Sequence, residues 1–359
     1  MKILHTESSN GWGGQEIRIL KEAEGMRARG HEVILAVVRG GKLIEQARKA
    51  GFLVYELDFK KIKAVKLLNT LIGIIRKHEI DIVNTHSSLD AWLGGAAGRI
   101  AKKKVVRTRH LSTPIRKGVN SKLLYKALAD AVVTTSSGIV PMICSQAKIS
   151  LERCRCIPTG VEPITVSLDE VQAFREGLGV KPDEILVGTV CVVRSWKGIK
   201  DLMRAAEILK DHKNIKWVIV GGGYLDQYRD YIDLKGALTF TGHIPRPYAA
   251  IAAIDIFLLL STAHEGISQS SLQAAYLERP LITTTVGGLP EVNVEGETGL
   301  LVPPFNPEKV AESVLKLAAD PALRAQFGKA AKARVLEKFT MRRTLDQMED
   351  VYRYISSKV

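Results

Sequence analysis

Short apolar runs separated by helical patterns restrict what this chain can fold into. The runs cover residues 2–6, 32–38, 54–57, 81–85, 104–109 and 131–135, and residues 15–29 and 67–78 between them carry helical spacing. The scheme starts again at 185–193 and continues at 216–220, 238–241, 254–260, 281–285 and 299–302. A short apolar run bounded by turn residues suits a strand buried on both faces. Strands that alternate with helices pair in parallel, because each helix carries the chain back to the edge where the next strand begins. Two such series predict an α/β chain of two Rossmann-like domains, each a doubly wound parallel sheet, facing a cleft. Ligands are expected at the carboxyl ends of the strands.

The break between the series falls near residues 160–184. Ile157-Pro-Thr-Gly-Val-Glu-Pro163 is a turn-rich exit, and Gly179-Val-Lys-Pro182 precedes a fresh strand. The expected domains are 1–162 and 163–341, and pattern alone leaves open whether the helix at 342–359 returns to the first. A length of 359 residues agrees with two domains of roughly 150 each. The cysteines, Cys144, Cys154, Cys156 and Cys191, show no paired CxxC spacing, and Cys154 and Cys156 are too close for ordinary disulfide or metal geometry. Unpaired thiols point to a reducing compartment. The N-terminus runs directly into a strand and lacks the layout of a secretory signal, and no apolar run approaches the ~20 residues of a membrane span. A cytoplasmic protein is expected.

Charge is unevenly spread. Residues 1–160 hold 28 Lys+Arg against 13 Asp+Glu, whereas residues 161–359 hold 24 against 25, so the net +14 resides in the first half. Lys60, Lys61, Lys63 and Lys66 interleave with Ile62, Val65, Leu67 and Leu68, and further clusters are Lys102–Lys104 and Arg116, Lys117, Lys122 and Lys126. Lysines among apolar residues suit an interfacial helix on anionic lipid, each basic residue adding about 1 kcal/mol near such a surface. A solvated basic face is the plainer alternative. No nucleic-acid motif accompanies the charge and few aromatics lie among it, so the expected partner is an anionic membrane rather than a nucleic acid.

Several segments carry chemistry at strand ends. Glu265-Gly266-Ile267-Ser268, with Gln273 eight positions after the glutamate, lies between the apolar run 254–260 and a helical segment at 270–277. Gly266 lets a backbone approach a ligand, and a helix start offers unpaired N–H groups and a positive dipole end. A carboxylate beside such an anion site suits a ligand with both hydroxyls and phosphates. Ser270-x-x-Gln273 also matches a capping box, which needs no ligand. Trp12-Gly13-Gly14-Gln15-Glu16 follows the first strand without the GxGxxG of dinucleotide enzymes. Arg194 and Lys197 follow the first strand of the second half, where two cations can clamp a diphosphate or stand as surface charges. Gly221-Gly222-Gly223 serves either nucleotide approach or a strand-end turn. His110 and His86 end two strands of the first half, positions for a hydrogen bond to sugar or phosphate, or for plain structural use.

Taken together and in this order, the segments resemble the family-4 glycosyltransferases. The resemblance runs through Gly13-Gly14-x-Glu16, Arg29-Gly30-His31-Glu32-Val33, Ile157-Pro-Thr-Gly160-Val, Arg194-x-x-Lys197-Gly198, Phe240-Thr-Gly242, Glu265-Gly266, Val286-Gly-Gly-Leu-Pro-Glu291-Val and Gly296-x-Thr298-Gly299-Leu-Leu-Val-Pro-Pro304, nearly the whole chain. It implies the GT-B fold, with the acceptor on the first domain and the nucleotide-sugar on the second. It also implies configuration-retaining transfer with no cofactor and no bound metal, and the chain has no Asp-x-Asp pair to hold one. By the same resemblance Arg194 and Lys197 hold the donor diphosphate, Glu265 holds hydroxyls of the transferred sugar, and the backbone of Gly266, Ile267 and Ser268 faces sugar and phosphate. Gly13 and Gly14 line the acceptor side, and His110 lies near the reacting centre. Two positions depart from the family pattern. Gln273 stands where a second glutamate binds ribose, and Arg194 precedes Lys197 by three residues rather than five. An amide still accepts from one hydroxyl and donates to another, without the charge-assisted bond.

The expected function is transfer of a sugar from a nucleoside diphosphate donor, UDP-sugar favoured, to a lipid-linked or anionic glycan such as a bacterial lipopolysaccharide core. The enzyme would sit on the inner face of the cytoplasmic membrane. The alternatives are a sugar-nucleotide epimerase of the same architecture and a non-catalytic sugar-nucleotide or lipid-binding protein.

Overall fold

The computed structural model describes residues 1–224, 228 and 236–358. It divides into two compact units, Met1–Thr159 with Arg342–Val359, and Gly160–Met341. The first unit is a parallel sheet of seven strands: β1 (Lys2–Glu7), β2 (Glu32–Val38), β3 (Leu53–Leu57), β4 (Ile82–Thr85), β5 (Lys104–Arg109), β6 (Ala131–Thr134) and β7 (Cys154–Cys156). Their order is β3-β2-β1-β4-β5-β6-β7. The second unit has β8 (Ile185–Val190), β9 (Ile215–Val220), β10 (Leu238–Gly242), β11 (Ile256–Leu259), β12 (Leu281–Thr284) and β13 (Gly299–Val302), ordered β10-β9-β8-β11-β12-β13. Each sheet therefore grows first one way and then the other. The reversal lies between β1 and β4 in the first unit and between β8 and β11 in the second, and such switch points open a crevice at the strand carboxyl ends. These two α/β units define the GT-B fold.

Alternation along the strands builds two cores per sheet, because successive side chains leave on opposite faces. In the second unit Val187, Ile219 and Leu258 pack with Val314 and Leu317. Their chain neighbours Leu186, Val218, Phe257 and Leu259 pack on the other face with Leu272 and Val335. In the first unit Leu4, Ile34, Val83 and Val105 meet Leu71 and Ile75. Leu67, Leu71, Ile74 and Ile75 are the buried residues of the helix Ala64–Lys77, a spacing that makes a single apolar stripe. Fully burying each such side chain contributes about 1.5–3 kcal/mol.

The helix Met341–Ser357 buries Leu345, Met348, Val351, Tyr352 and Ile355. The Tyr352 hydroxyl donates to Glu22 Oε1 at 2.7 Å and accepts from Asn84 Nδ2 at 2.9 Å. Arg29 bridges to Asp346 at 2.6 Å and Glu349 at 2.9 Å.

Several local expectations are corrected. Cys154-Arg-Cys156, read only as thiols, forms the edge strand β7. The helix after β11 starts at Gln269 with Ser268 as N-cap, so Ser270 and Gln273 lie inside it and form no capping box. Among the residues of the basic segment, Ile62 and Val65 are exposed, but Leu67 is buried and Leu68 packs on the core. The interfacial face is therefore shorter than the sequence suggests. No helix among the described residues is long and apolar enough to cross a membrane.

Candidate active site

Lys197 and Glu265 meet at the switch point of the second unit. Lys197 follows β8 and Glu265 follows β11, the two strands that flank the reversal. Lys197 Nζ donates to Glu265 Oε2 at 2.7 Å, and Ser261 Oγ donates to the same oxygen at 2.7 Å. Glu265 is 7% exposed, so its charge is held by these donors rather than by water. The loop that carries it is built tightly. Thr284 Oγ1 donates to Ser261 O at 2.5 Å, Thr262 N to Trp196 O at 2.8 Å, and Gly288 N to Glu265 O at 3.2 Å. His264 sits in the left-handed region at φ 60°, a strained conformation for a residue with a side chain. Its ring meets Trp196 edge-on at 5.8 Å.

The backbone N–H groups of Gly266, Ile267 and Ser268 have no acceptor among the described residues. They precede the helix Gln269–Tyr276 and add to the partial positive charge of its amino end. An ammonium from the loop after β8 thus meets a carboxylate from the loop after β11, and the three N–H groups directly follow that carboxylate in the chain. The donors fit phosphate oxygens and the carboxylate fits sugar hydroxyls.

In the first unit the switch point gathers a different set. Glu7, the last residue of β1, accepts from Ser9 N at 2.7 Å, from Gln15 Nε2 at 2.5 Å and from Ser87 Oγ. Burial pushes its carboxyl up to about 7, and the nearby Asp90 charge pushes the same way. Asp90 accepts from Thr6 Oγ1 at 3.0 Å, Ser8 Oγ at 2.9 Å and His86 N at 2.8 Å. Gly13 N donates to Glu16 Oε2 at 2.9 Å, and Gly14 begins the helix Gly14–Ala28. The glycine-bearing loop is thus pinned by three carboxylates. His110 follows β5, and its Nε2 lies 3.0 Å from His86 Nδ1. Burial first, and then the Arg18 and Arg107 charges, hold His110 well below the ordinary histidine value, so the ring is neutral.

The structure brings Lys197 and Glu265 together with Gly266, Ile267 and Ser268. Gln273 lies in the same helix, partly buried. Arg194 is exposed on the same loop as Lys197, its guanidinium 5.2 Å from the Trp196 ring. Gly13, Gly14 and His110 belong to the first unit. Gly221 and Gly223 act as packing glycines: a Cβ would lie 1.8 Å from Cys191 O and 2.4 Å from Val193 O. Sequence reasoning missed Ser261, His264, Glu7 and His5. No trio of His, Cys, Asp or Glu among the described residues converges as metal ligands would.

Comparison with known proteins agrees with the fold. The family model Glycosyltransferase Family 4 matches residues 12–165, and Glycosyl transferases group 1 matches residues 170–334. The chain belongs to the family-4 type of glycosyltransferase. An uncharacterised glycosyltransferase of Methanocaldococcus jannaschii, MJ1607, is 25% identical over 95% of this chain and 94% of its own length. The capsular polysaccharide biosynthesis glycosyltransferase CapM of Staphylococcus aureus is 29% identical over 47% of this chain and 46% of its own. The crystal structure of Anabaena Alr3699/HepE with UDP-glucose shares the fold at a TM-score of 0.86 and 20% identity, covering 99% of this chain and 100% of that one.

Proposed function

We propose that this glycosyltransferase moves a sugar from a UDP-sugar to a hydroxyl of a lipid-linked or anionic glycan, with retention of configuration and without a metal. The observation that carries the reading is the Lys197–Glu265 pair beside the free N–H groups of Gly266, Ile267 and Ser268. It supplies positive charge where a diphosphate departs and a carboxylate where a sugar is held. UDP-glucose in the Anabaena relative and capsule synthesis by the Staphylococcus relative support the donor and acceptor classes. Arg194, Lys197 and the N–H groups absorb the charge of the leaving diphosphate. The acceptor oxygen attacks from the same face, and its proton passes to the departing phosphate. Gln273 holds the ribose through its amide, and Gly13 and Gly14 leave room for the acceptor. His110 is the first unit's candidate for a contact with substrate.

The basic first unit, with Ile62 93% and Val65 75% exposed among lysines, supports docking on an anionic membrane where a lipid-linked acceptor resides. A thermal-shift titration with UDP, GDP, ADP and CMP, with and without magnesium, tests the donor. At 100 times its dissociation constant a ligand stabilises by ~2.7 kcal/mol. UDP alone should raise the melting temperature, equally in EDTA. A shift with another nucleotide replaces the donor, and a shift that needs magnesium removes the metal-free mechanism. The anomeric configuration of the product, read by NMR coupling constants, tests retention.

A further inference from the structure

Five cations converge on one cavity of the first unit. Arg99, Lys104, Lys126, Arg153 and Lys358 line a space of about 290 Å³, at the small end of the range for ligand clefts. It lies at the amino edge of the sheet: Lys104 opens β5, Asp130 immediately precedes β6 and Arg153 immediately precedes β7. Glu7 and His110, by contrast, stand at the carboxyl ends of β1 and β5. The cavity and the switch-point crevice therefore occupy opposite edges of one sheet. Tyr354, Ile355 and Lys358 line the cavity from the end of the helix Met341–Ser357.

The acidic side of this cluster is already engaged. Asp130 is the only carboxylate among the described lining residues. One of its oxygens accepts from Arg99 Nη1 at 2.9 Å and the other from Val105 N at 2.7 Å. Glu152 lies beyond it, 3.4 Å from the Tyr354 hydroxyl. The other acceptors are neutral carbonyls. Arg153 Nε donates to Asp130 O at 3.1 Å and Nη2 to Lys126 O at 2.9 Å, Arg99 Nε to Ala127 O at 2.9 Å, and Lys104 Nζ to Lys358 O. Arg99 Nη2, Arg153 Nη1 and Lys126 Nζ have no acceptor among the described residues. Burial holds the Arg153 guanidinium below its ordinary value, Asp130 restores part of the loss, and Arg99 pushes the same way as burial. Like charges gathered in a concavity attract an anion more strongly than the same charges spread over a convex face.

We propose that this cavity binds a phosphate group of a small soluble molecule, and that the bound phosphate ties the end of the helix Met341–Ser357 to the amino ends of β5 and β7. The excess of cations calls for a ligand with more than one negative charge, which a phosphate carries and a single carboxylate does not. Guanidinium forks also match phosphate oxygens two at a time. A bilayer headgroup has the same chemistry, but Ile62 and Val65 follow β3 at the carboxyl edge, so a membrane docked there leaves this cavity in water. The choice of a soluble source rests on that proposed docking; the site itself rests neither on it nor on sugar transfer.

The test is hydrogen exchange of the full chain read by mass spectrometry, with inorganic pyrophosphate against sodium chloride of equal ionic strength. Pyrophosphate should slow exchange at least about threefold in residues 350–358 and 126–131, because binding stabilises the closed state of the segments it joins. Pyrophosphate held by the N–H groups of Gly266, Ile267 and Ser268 would slow a different segment and is told apart by position. Lys126→Glu with Lys358→Glu, both at exposed positions, should keep the melting temperature and abolish the slowing at the cavity. Calorimetry should show pyrophosphate bound there at least about tenfold more weakly. Unchanged exchange at both segments in the parent overturns the proposal, as does equal slowing in the double variant. Should the variant fail to fold, the parent's exchange pattern alone decides. Slowing with vesicles of phosphatidic acid in phosphatidylcholine, but not with pyrophosphate, overturns the soluble ligand and gives the cavity to a lipid headgroup. Slowing by pyrophosphate in a protein that transfers no sugar would retain this inference and remove the transferase reading.

Discussion

Glu265 and Lys197 each hold a charge that the other makes tolerable. Glu265→Gln keeps the shape but leaves the partly buried Lys197 ammonium without its counter-charge. It should cost roughly 1.5–3 kcal/mol of stability and reduce kcat by about 10²-fold or more. Melting curves and initial rates with a UDP-sugar measure the two effects separately. Glu7 gives a pH effect of definite sign. Its carboxyl rises from 4.5 to about 7 on folding, so between these values the folded state binds more protons than the unfolded one. The contribution is complete below 4.5 and is lost as pH rises through 7, by up to about 1.4 kcal/mol per pH unit. Glu7→Gln should flatten the melting temperature across that window, and an unchanged slope would assign it to other groups. Lys197 and Glu265 were legible in the sequence because each follows an apolar run closely enough for the local pattern to mark a strand end. The partnership of Glu7 with Ser87, or of His5 with His86, was not. Those partners lie 80 and 81 residues apart and meet only through sheet order.

Elements place these side chains through close backbone approaches. Gly198 has φ +67°, and a Cβ there would stand 1.9 Å from Leu260 O, so the loop bearing Lys197 can touch the residue that follows β11 only through a glycine. At Gly288 a Cβ would meet the Gly266 carbonyl group at 2.9 Å. Gly198→Ala should destabilise by about 3 kcal/mol and weaken UDP binding, read by calorimetry; Gly288→Ala should displace the Glu265 loop and do the same to a smaller degree. At the other unit's surface, Ile62→Asp with Val65→Asp should abolish sedimentation with anionic vesicles while sparing UDP binding. Persistent sedimentation would refute docking through this face. Buried parallel strands such as β8 and β11 were plain as apolar runs, because both faces are covered. The short edge strand β7 was not, since Cys154-Arg-Cys156 has no run to recognise, and its pairing with β6 comes from tertiary context.

At the scale of the molecule, the first unit is closed by a segment far from the rest of it in sequence. Tyr352→Phe removes the hydroxyl that donates to buried Glu22 and accepts from Asn84, and should cost about 1–3 kcal/mol. Loss of the same size in the first unit's melting, with the UDP-induced shift retained, is the expected result; no loss would show that water replaces the hydroxyl. That helix also sets an order of events during synthesis. When Thr159 is added to the chain, the helix that covers Glu22 and Asn84 still begins 182 codons further on (341 − 159). The unit Gly160–Met341 is contiguous and has its whole core in hand earlier, so the usual rule that the amino-terminal domain matures first is reversed here. Until translation reaches Tyr352, the nascent chain exposes an incomplete first unit, and chaperones have most reason to bind there.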